Sequence, residues 1–327
     1  GSECEASNKG RDGAAVQAAS GSQWQQLGQK IESEAAGDGY HASISLSGDG
    51  NRLAVGSPNN MNPALNANSG HVRVFELISN AWSQLGGDID GQSGNNFFGT
   101  SVSLSSDGGR LAVGLPGLSK VRVFEWVSAS ITWTQLGADI SSTVVDGGFG
   151  NSVSLSADGA SLIVGQPEKT GSGVAGSGHI KVLQYGTLGT WDQIYSLDGP
   201  SLLTTTSINS VAIAEGKSSD GFGQSVAMSS DGDAIAVSAP YYRQPSPWAV
   251  GVVYTYRAEY GNSNQWNLDS GSPTGPDGRI DSFGTSIALS SDGTKLAIGA
   301  SQHDLVGADN GYIQIYEIDP GDARIEH

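Results

Sequence analysis

The chain has 327 residues with 48 glycines, few charged side chains and a formal charge of −17 from 33 acidic and 16 basic residues. Nucleic-acid affinity comes largely from Lys and Arg neutralising phosphates, so this balance excludes a polyanion or an anionic membrane surface as partner. No apolar run approaches the roughly 18 residues a spanning helix needs, which excludes membrane insertion by helices.

Residues 1–20 form a polar lead-in without the apolar centre of a signal peptide. Gly1-Ser2 has the look of a cloning scar, and Glu326-His327 of the start of a tag. The single cysteine, Cys4, lies in the lead-in and has no partner for an intrachain disulfide. Residues 21–319 are expected to be the folded domain, and 320–327 a tail.

One pattern then recurs five times, and a repeat of this length is the strongest organising signal a sequence offers. Its first strand alternates small and large residues and ends at an Asp-Gly turn. The copies are Ser43–Ser47 before Asp49-Gly50, Ser101–Ser105 before Asp107-Gly108, and Ser152–Ser156 before Asp158-Gly159. Ser225–Ser229 before Asp231-Gly232 and Ser286–Ser290 before Asp292-Gly293 complete the set. Asp and Gly tolerate the positive φ of tight hairpins, so each copy predicts a hairpin. The second strands are Leu53–Gly56, Leu111–Gly114, Leu162–Gly165, Ile235–Ser238 and Leu296–Gly299. The third strands are Val72–Phe75, Val121–Phe124, Ile180–Leu183, Val252–Thr255 and Ile313–Tyr316. A fourth, outer strand begins at Trp82, Trp133, Trp191 and Trp266.

The fifth copy lacks its outer strand, and a matching piece, Trp24–Gly28, precedes the first copy. This permutation predicts an all-β, five-bladed β-propeller whose last blade is closed by the N-terminal strand, residues 23–28. Side chains alternate with period two, so each blade has a bulky face, including Phe98, Phe149, Phe222 and Phe283, and a small serine-rich face that receives it. Tyr40 takes the phenylalanine position in the first blade.

Phe98-Gly99 leading to Val113–Pro116, and Phe222-Gly223 leading to Val237–Pro240, resemble FG-GAP repeats, the blade unit of integrin α-subunit propellers. The resemblance covers residues 23–317 and implies a secreted or cell-surface protein. It departs from the calcium-binding members at the acidic loop between the first two strands, here a bare Asp-Gly turn. One carboxylate cannot supply the 6–8 oxygens that calcium prefers.

In this architecture the Asp-Gly turns occupy one face and the variable loops the other: Asn59–Ser69, Glu168–Ser177, Tyr241–Val250, Ser301–Asn310 and the long insertion Ser196–Ser219. Function tends to sit in variable loops on a rigid scaffold. Tyr241, Tyr242, Arg243 and Trp248 are residue types that dominate binding hot spots, and aromatic faces beside a polar donor suit a sugar ring. His41 and His303 belong to the same candidate ligand-binding set. The bland alternative is that the aromatics cover neighbouring loops.

Asp38, Asn96, Asp220 and Asp281 recur ahead of the first strands, with Asp146 one residue further out. A ring of carboxylates from Asp38, Asp220 and Asp281 would hold a divalent cation such as Ca2+ in the channel. The simpler reading is that each caps its strand-entry turn. No second histidine stands at metal-ligand spacing from His41.

These features point to a monomeric, non-catalytic binding or adhesion module for a glycan or protein. One alternative is a glycoside hydrolase with paired carboxylates at the channel mouth. It would need two blade-specific acids about 5–5.5 or 6.5–9.5 Å apart, whereas here Asp is a repeated structural letter. A structural spacer within a larger surface protein is a third reading.

Overall fold

The computed structural model describes residues 24–33, 43–62, 67–92, 94, 96–143, 147–169, 176–199, 220–242, 250–259, 262–269, 271–275, 282–301 and 311–318. The protein is a five-bladed β-propeller built from five antiparallel sheets, each with its strands in chain order. Among the described residues there is no α-helix, only the 3-10 turn Pro116–Leu118, and no helix long and apolar enough to cross a membrane. The first blade runs Ile44–Leu46, Arg52–Ser57, His71–Ile78 and Ala81–Gln84, with Ile89–Asp90 added beside the third strand. The second repeats this with Val102–Leu104, Arg110–Leu115, Lys120–Val127 and Thr132–Gln135. In the third blade the outer strand, Trp191–Asp198, continues into what the sequence assigns to the insertion. The register pair His179↔Asp198 holds it there, so the insertion starts later than Ser196.

The Asp-Gly hairpins form because the aspartate completes them. Asp107 Oδ1 accepts bonds from Ser105 Oγ (2.6 Å) and Gly109 N (2.8 Å), while Ser105 Oγ accepts from Arg110 N (2.9 Å). The same trio recurs at Ser47/Asp49, Ser156/Asp158, Ser229/Asp231 and Ser290/Asp292. A turn closed by its own side chains removes the orphaned backbone donors that a tight hairpin would otherwise expose.

Blades stack bulky face on small face. Phe98, Val102, Leu104 and Leu111 of the second blade pack on Ala54, Val72 and Val74 of the first. Phe149, Val153 and Leu155 do the same on Ala112, Val121 and Val123. The four phenylalanines are fully buried. The serines on the small face do more than leave room. Ser43, Ser101 and Ser152 each donate Oγ to the glycine carbonyl of the next blade's Phe-Gly pair, at 2.8–2.9 Å. Ser45, Ser103 and Ser154 accept a backbone N–H from the next blade's first strand. Gly114 permits this approach, since a Cβ there would collide with the Gly150 carbonyl.

The junction between the fifth and first blades differs. Ile44 and Leu46 are 69% and 56% exposed, where their counterparts Val102 and Leu104 are 8% and 7%. On the other side, Ile313 and Ile315 are 75% and 74% exposed. The fifth sheet has three strands, and residues 24–33 carry no strand, with Trp24 wholly exposed. The N-terminal segment nevertheless sits against the first blade as a preceding outer strand does. Trp82 Nε1 donates to the Leu27 carbonyl (2.9 Å), as Trp133 does to Leu85 and Trp191 to Leu136. Gly28, Gly86 and Gly137 all have positive φ and lie on the following tryptophan. This bond fixes residues 27–29 to the first blade, while pairing with Tyr312–Glu317 requires the fifth blade alongside.

Candidate ligand-binding face

The face bearing the Asp-Gly turns has its carboxylates committed. The hydroxyl of Ser47, then the backbone and side chain of Asn51, hold Asp49 down at about 2. Ser290 and Thr294 do the same to Asp292.

On the opposite face the fourth blade presents Tyr241 and Tyr242 where its second strand, Ala234–Ala239, ends. Tyr241 is 44% exposed, and its N–H donates to the Asp220 carbonyl (3.1 Å). Its ring lies over Gly221, which has φ +68° and whose Cβ would stand 2.8 Å from it. Any side chain there would push the ring away. Tyr242 is half-buried against the cluster containing Phe222, Val237 and Val252. Its carbonyl accepts from Val250 N (3.0 Å) and Gly251 N (3.2 Å), clamping the two ends of loop 243–249 together. Burial, then the nearby Asp220 carboxylate, push the Tyr242 hydroxyl pKa up. The same causes, with Tyr242 and Tyr256, raise Tyr254 strongly. These phenols remain neutral hydrogen-bonding groups at physiological pH.

The structure therefore brings Tyr241, Tyr242 and Asp220 together. Asp220 is 7% exposed. Arg243, Trp248, His41, His303, Asp38, Asp146 and Asp281 lie outside the described residues, as do Tyr40 and most of the long insertion. Asn96, which takes the recurring position ahead of the second blade's first strand, is buried.

Two polar constellations on this face escape the sequence reading. In the third blade, His179 Nδ1 lies 2.7 Å from Asp198 Oδ1, and Lys169 Nζ lies 2.9 Å from the same oxygen. Burial, then the Lys169 charge, hold His179 below its usual range. Burial alone would raise Asp198, but bonds from Lys169 and His179 outweigh it and leave the carboxyl low. In the first blade, ligand atoms of His71, Asp88 and Asp90 lie within 4.8 Å of one another. The signal for both is the strand register, His71↔Asp90 and His179↔Asp198, which joins residues 19 apart in sequence. Between the rims of the second and third blades lies a depression of about 330 Å³, lined by Asp139, Ser141, Lys181 and Trp191 among others. Arg122 chiefly, with Lys120, holds Asp139 well below the usual carboxylate range against the opposing pull of burial.

No known family profile matches the chain, and no curated protein matches it in sequence. Solved structures do resemble it in fold. A protein of unknown function from Desulfotomaculum acetoxidans superposes with a TM-score of 0.51 at 13% identity, over 85% of this chain and 68% of that one. A structure from Bacteroides fragilis, provisionally assigned as a 6-phosphogluconolactonase, gives 0.51 at 13% identity, over 84% and 65%. The periplasmic gluconolactonase of Pseudomonas aeruginosa gives 0.48 at 18% identity, over 84% and 70%. At such identities the likeness extends to the fold alone.

Proposed function

We propose that the protein is a non-catalytic binding module of the FG-GAP kind, secreted or displayed at a cell surface. Its long-loop face engages a glycan or protein ligand. The observation that carries this reading is the clamped base of loop 243–249: Val250 and Gly251 at its far end both donate to the Tyr242 carbonyl at its near end, and Tyr241 is exposed beside them. Tyr241, tied through its own N–H to the Asp220 carbonyl beside this clamp, is presented at little entropic cost on binding. Tyr241 supplies a flat apolar face with a hydroxyl at its edge, the combination suited to stacking on a sugar ring or anchoring a protein contact. Arg243 and Trp248, in the same loop by sequence, are the further contacts proposed.

The lactonase assignments among the fold neighbours do not transfer at 13–18% identity. The test is a glycan array probed with wild type, Tyr241→Ala and Trp248→Ala. The expected result is a defined glycan signal lost in both variants. Glycosidase turnover that disappears in Asp220→Asn would overturn the reading in favour of a hydrolase.

A further inference from the structure

The blades answer one question differently: what neutralises the carboxylates beside the start of the third strand. In the second blade, Asp139 receives Lys120 Nζ (2.9 Å) and Arg122 Nε (2.7 Å). In the third, Asp198 receives Lys169 Nζ (2.9 Å) and the His179 ring (2.7 Å). Each of these blades has one carboxylate and supplies its own cations.

The first blade keeps both carboxylates. Asp88 is the counterpart of Asp139, and each accepts a bond from the glutamine of its outer strand, Gln84 (2.7 Å) and Gln135 (3.1 Å). Asp90 is the counterpart of Asp198 by register. The covalent cations are gone. Asn60 stands where Lys169 stands, each giving its carbonyl to a glycine N–H at 3.1 Å. His71 replaces Lys120 at the start of the third strand. Arg73, the counterpart of Arg122, donates instead to the Glu32 carbonyl (2.9 Å) and lies over the Phe75 ring. Among the described residues, neither Asp88 nor Asp90 has an ion-pair partner.

We propose that this place in the first blade binds a divalent cation, held by His71, Asp88 and Asp90. The ion takes the position that the Lys169 ammonium holds in the third blade. His71 is 1% exposed and its imidazole is fixed by the surrounding sheet, while both aspartates are exposed and can turn towards it. Metal–ligand bonds of about 2.0–2.2 Å put neighbouring ligand atoms about 3.3 Å apart, so closing from 4.8 Å needs only side-chain rotation. An imidazole with two carboxylates suits zinc or a similar first-row ion better than calcium, which prefers all-oxygen sites. Three protein ligands leave a coordination position for water or for an oxygen of a bound ligand.

Isothermal titration of the full chain with zinc chloride tests this, with calcium chloride in parallel. Wild type is expected to bind one more equivalent of zinc than Asp88→Asn or Asp90→Asn, or to bind that equivalent about tenfold or more tightly. Asp198→Asn, altered at the counterpart in the third blade, is expected to match wild type. Identical zinc binding by wild type and the two first-blade variants, including none by any of them, would overturn the site. Tighter binding of calcium than zinc at that equivalent would overturn the part assigned to His71.

Discussion

The four junctions between consecutive blades and the pair of faces at the chain's two ends are written in the same repeat, yet they present differently. At the first three junctions, Val102, Val153 and Val226 are 7–8% exposed, and serine hydroxyls from the preceding blade bond the backbone of the next. At the ends, Ile44 and Leu46 on one side and Ile313 and Ile315 on the other stand in solvent. The contrast shows that the alternation of large and small residues makes a complementary surface but does not itself supply the neighbour. Burial of the apolar face comes from what the rest of the chain brings against it.

The largest effect is expected inside a junction. Phe149→Ala should cost about 3–5 kcal/mol, because the ring is fully buried between the second and third blades. Chemical denaturation monitored by tryptophan fluorescence measures it. A sharper comparison sets Gly114→Ala against Gly299→Ala. A methyl at Gly114 meets the Gly150 backbone carbonyl, which cannot swing aside, so the expected cost is about 1–3 kcal/mol. At Gly299 it meets first the Ser286 hydroxyl, a movable group of its own blade, and the expected change is within about 0.5 kcal/mol. Equal costs at the two glycines would show that the end faces meet each other in solution.

The smallest effect concerns the turns, which should be indifferent to the junctions. Asp49 in the first blade and Asp292 in the last are both held at about 2 by the turn's own bonds, against an ordinary 3.8. A carboxyl whose pKa is depressed in the folded state stabilises that state above about pH 4 and stops doing so as pH falls through about 2. Carboxyl-detected NMR titration should find both residues near 2. A normal value at one end only would mean that the turn depends on its neighbouring blade.

Much of the fold was legible because the repeat supplies five readings of every position. The Asp-Gly hairpins, the bulky and small faces and the buried phenylalanines all follow from period-two alternation. Alternation makes a serine small, but says nothing of its hydroxyl, so the bonds from Ser101 to the Gly150 carbonyl and from Leu155 N–H to Ser103 emerged only with the blades stacked. The site was less legible for a similar reason. Tyr241 and Tyr242 break the repeat in one local stretch and announce themselves. His71 and Asp90 are ordinary residues far apart in sequence, and antiparallel register sets them side by side. Searching around histidines for nearby ligands in sequence passes over such a pair. Aligning the blades and asking which cations are lost beside a retained carboxylate finds it.

The uncovered end faces have a further consequence for assembly. A rigid body that carries a patch at one end and its complement at the other makes a heterologous contact. Such contacts either shut on themselves when the rotation per unit completes a turn or run on from copy to copy as a filament. The Trp82–Leu27 bond favours closure within one chain, because it already holds Leu27 on the first blade where a preceding blade's outer strand would lie.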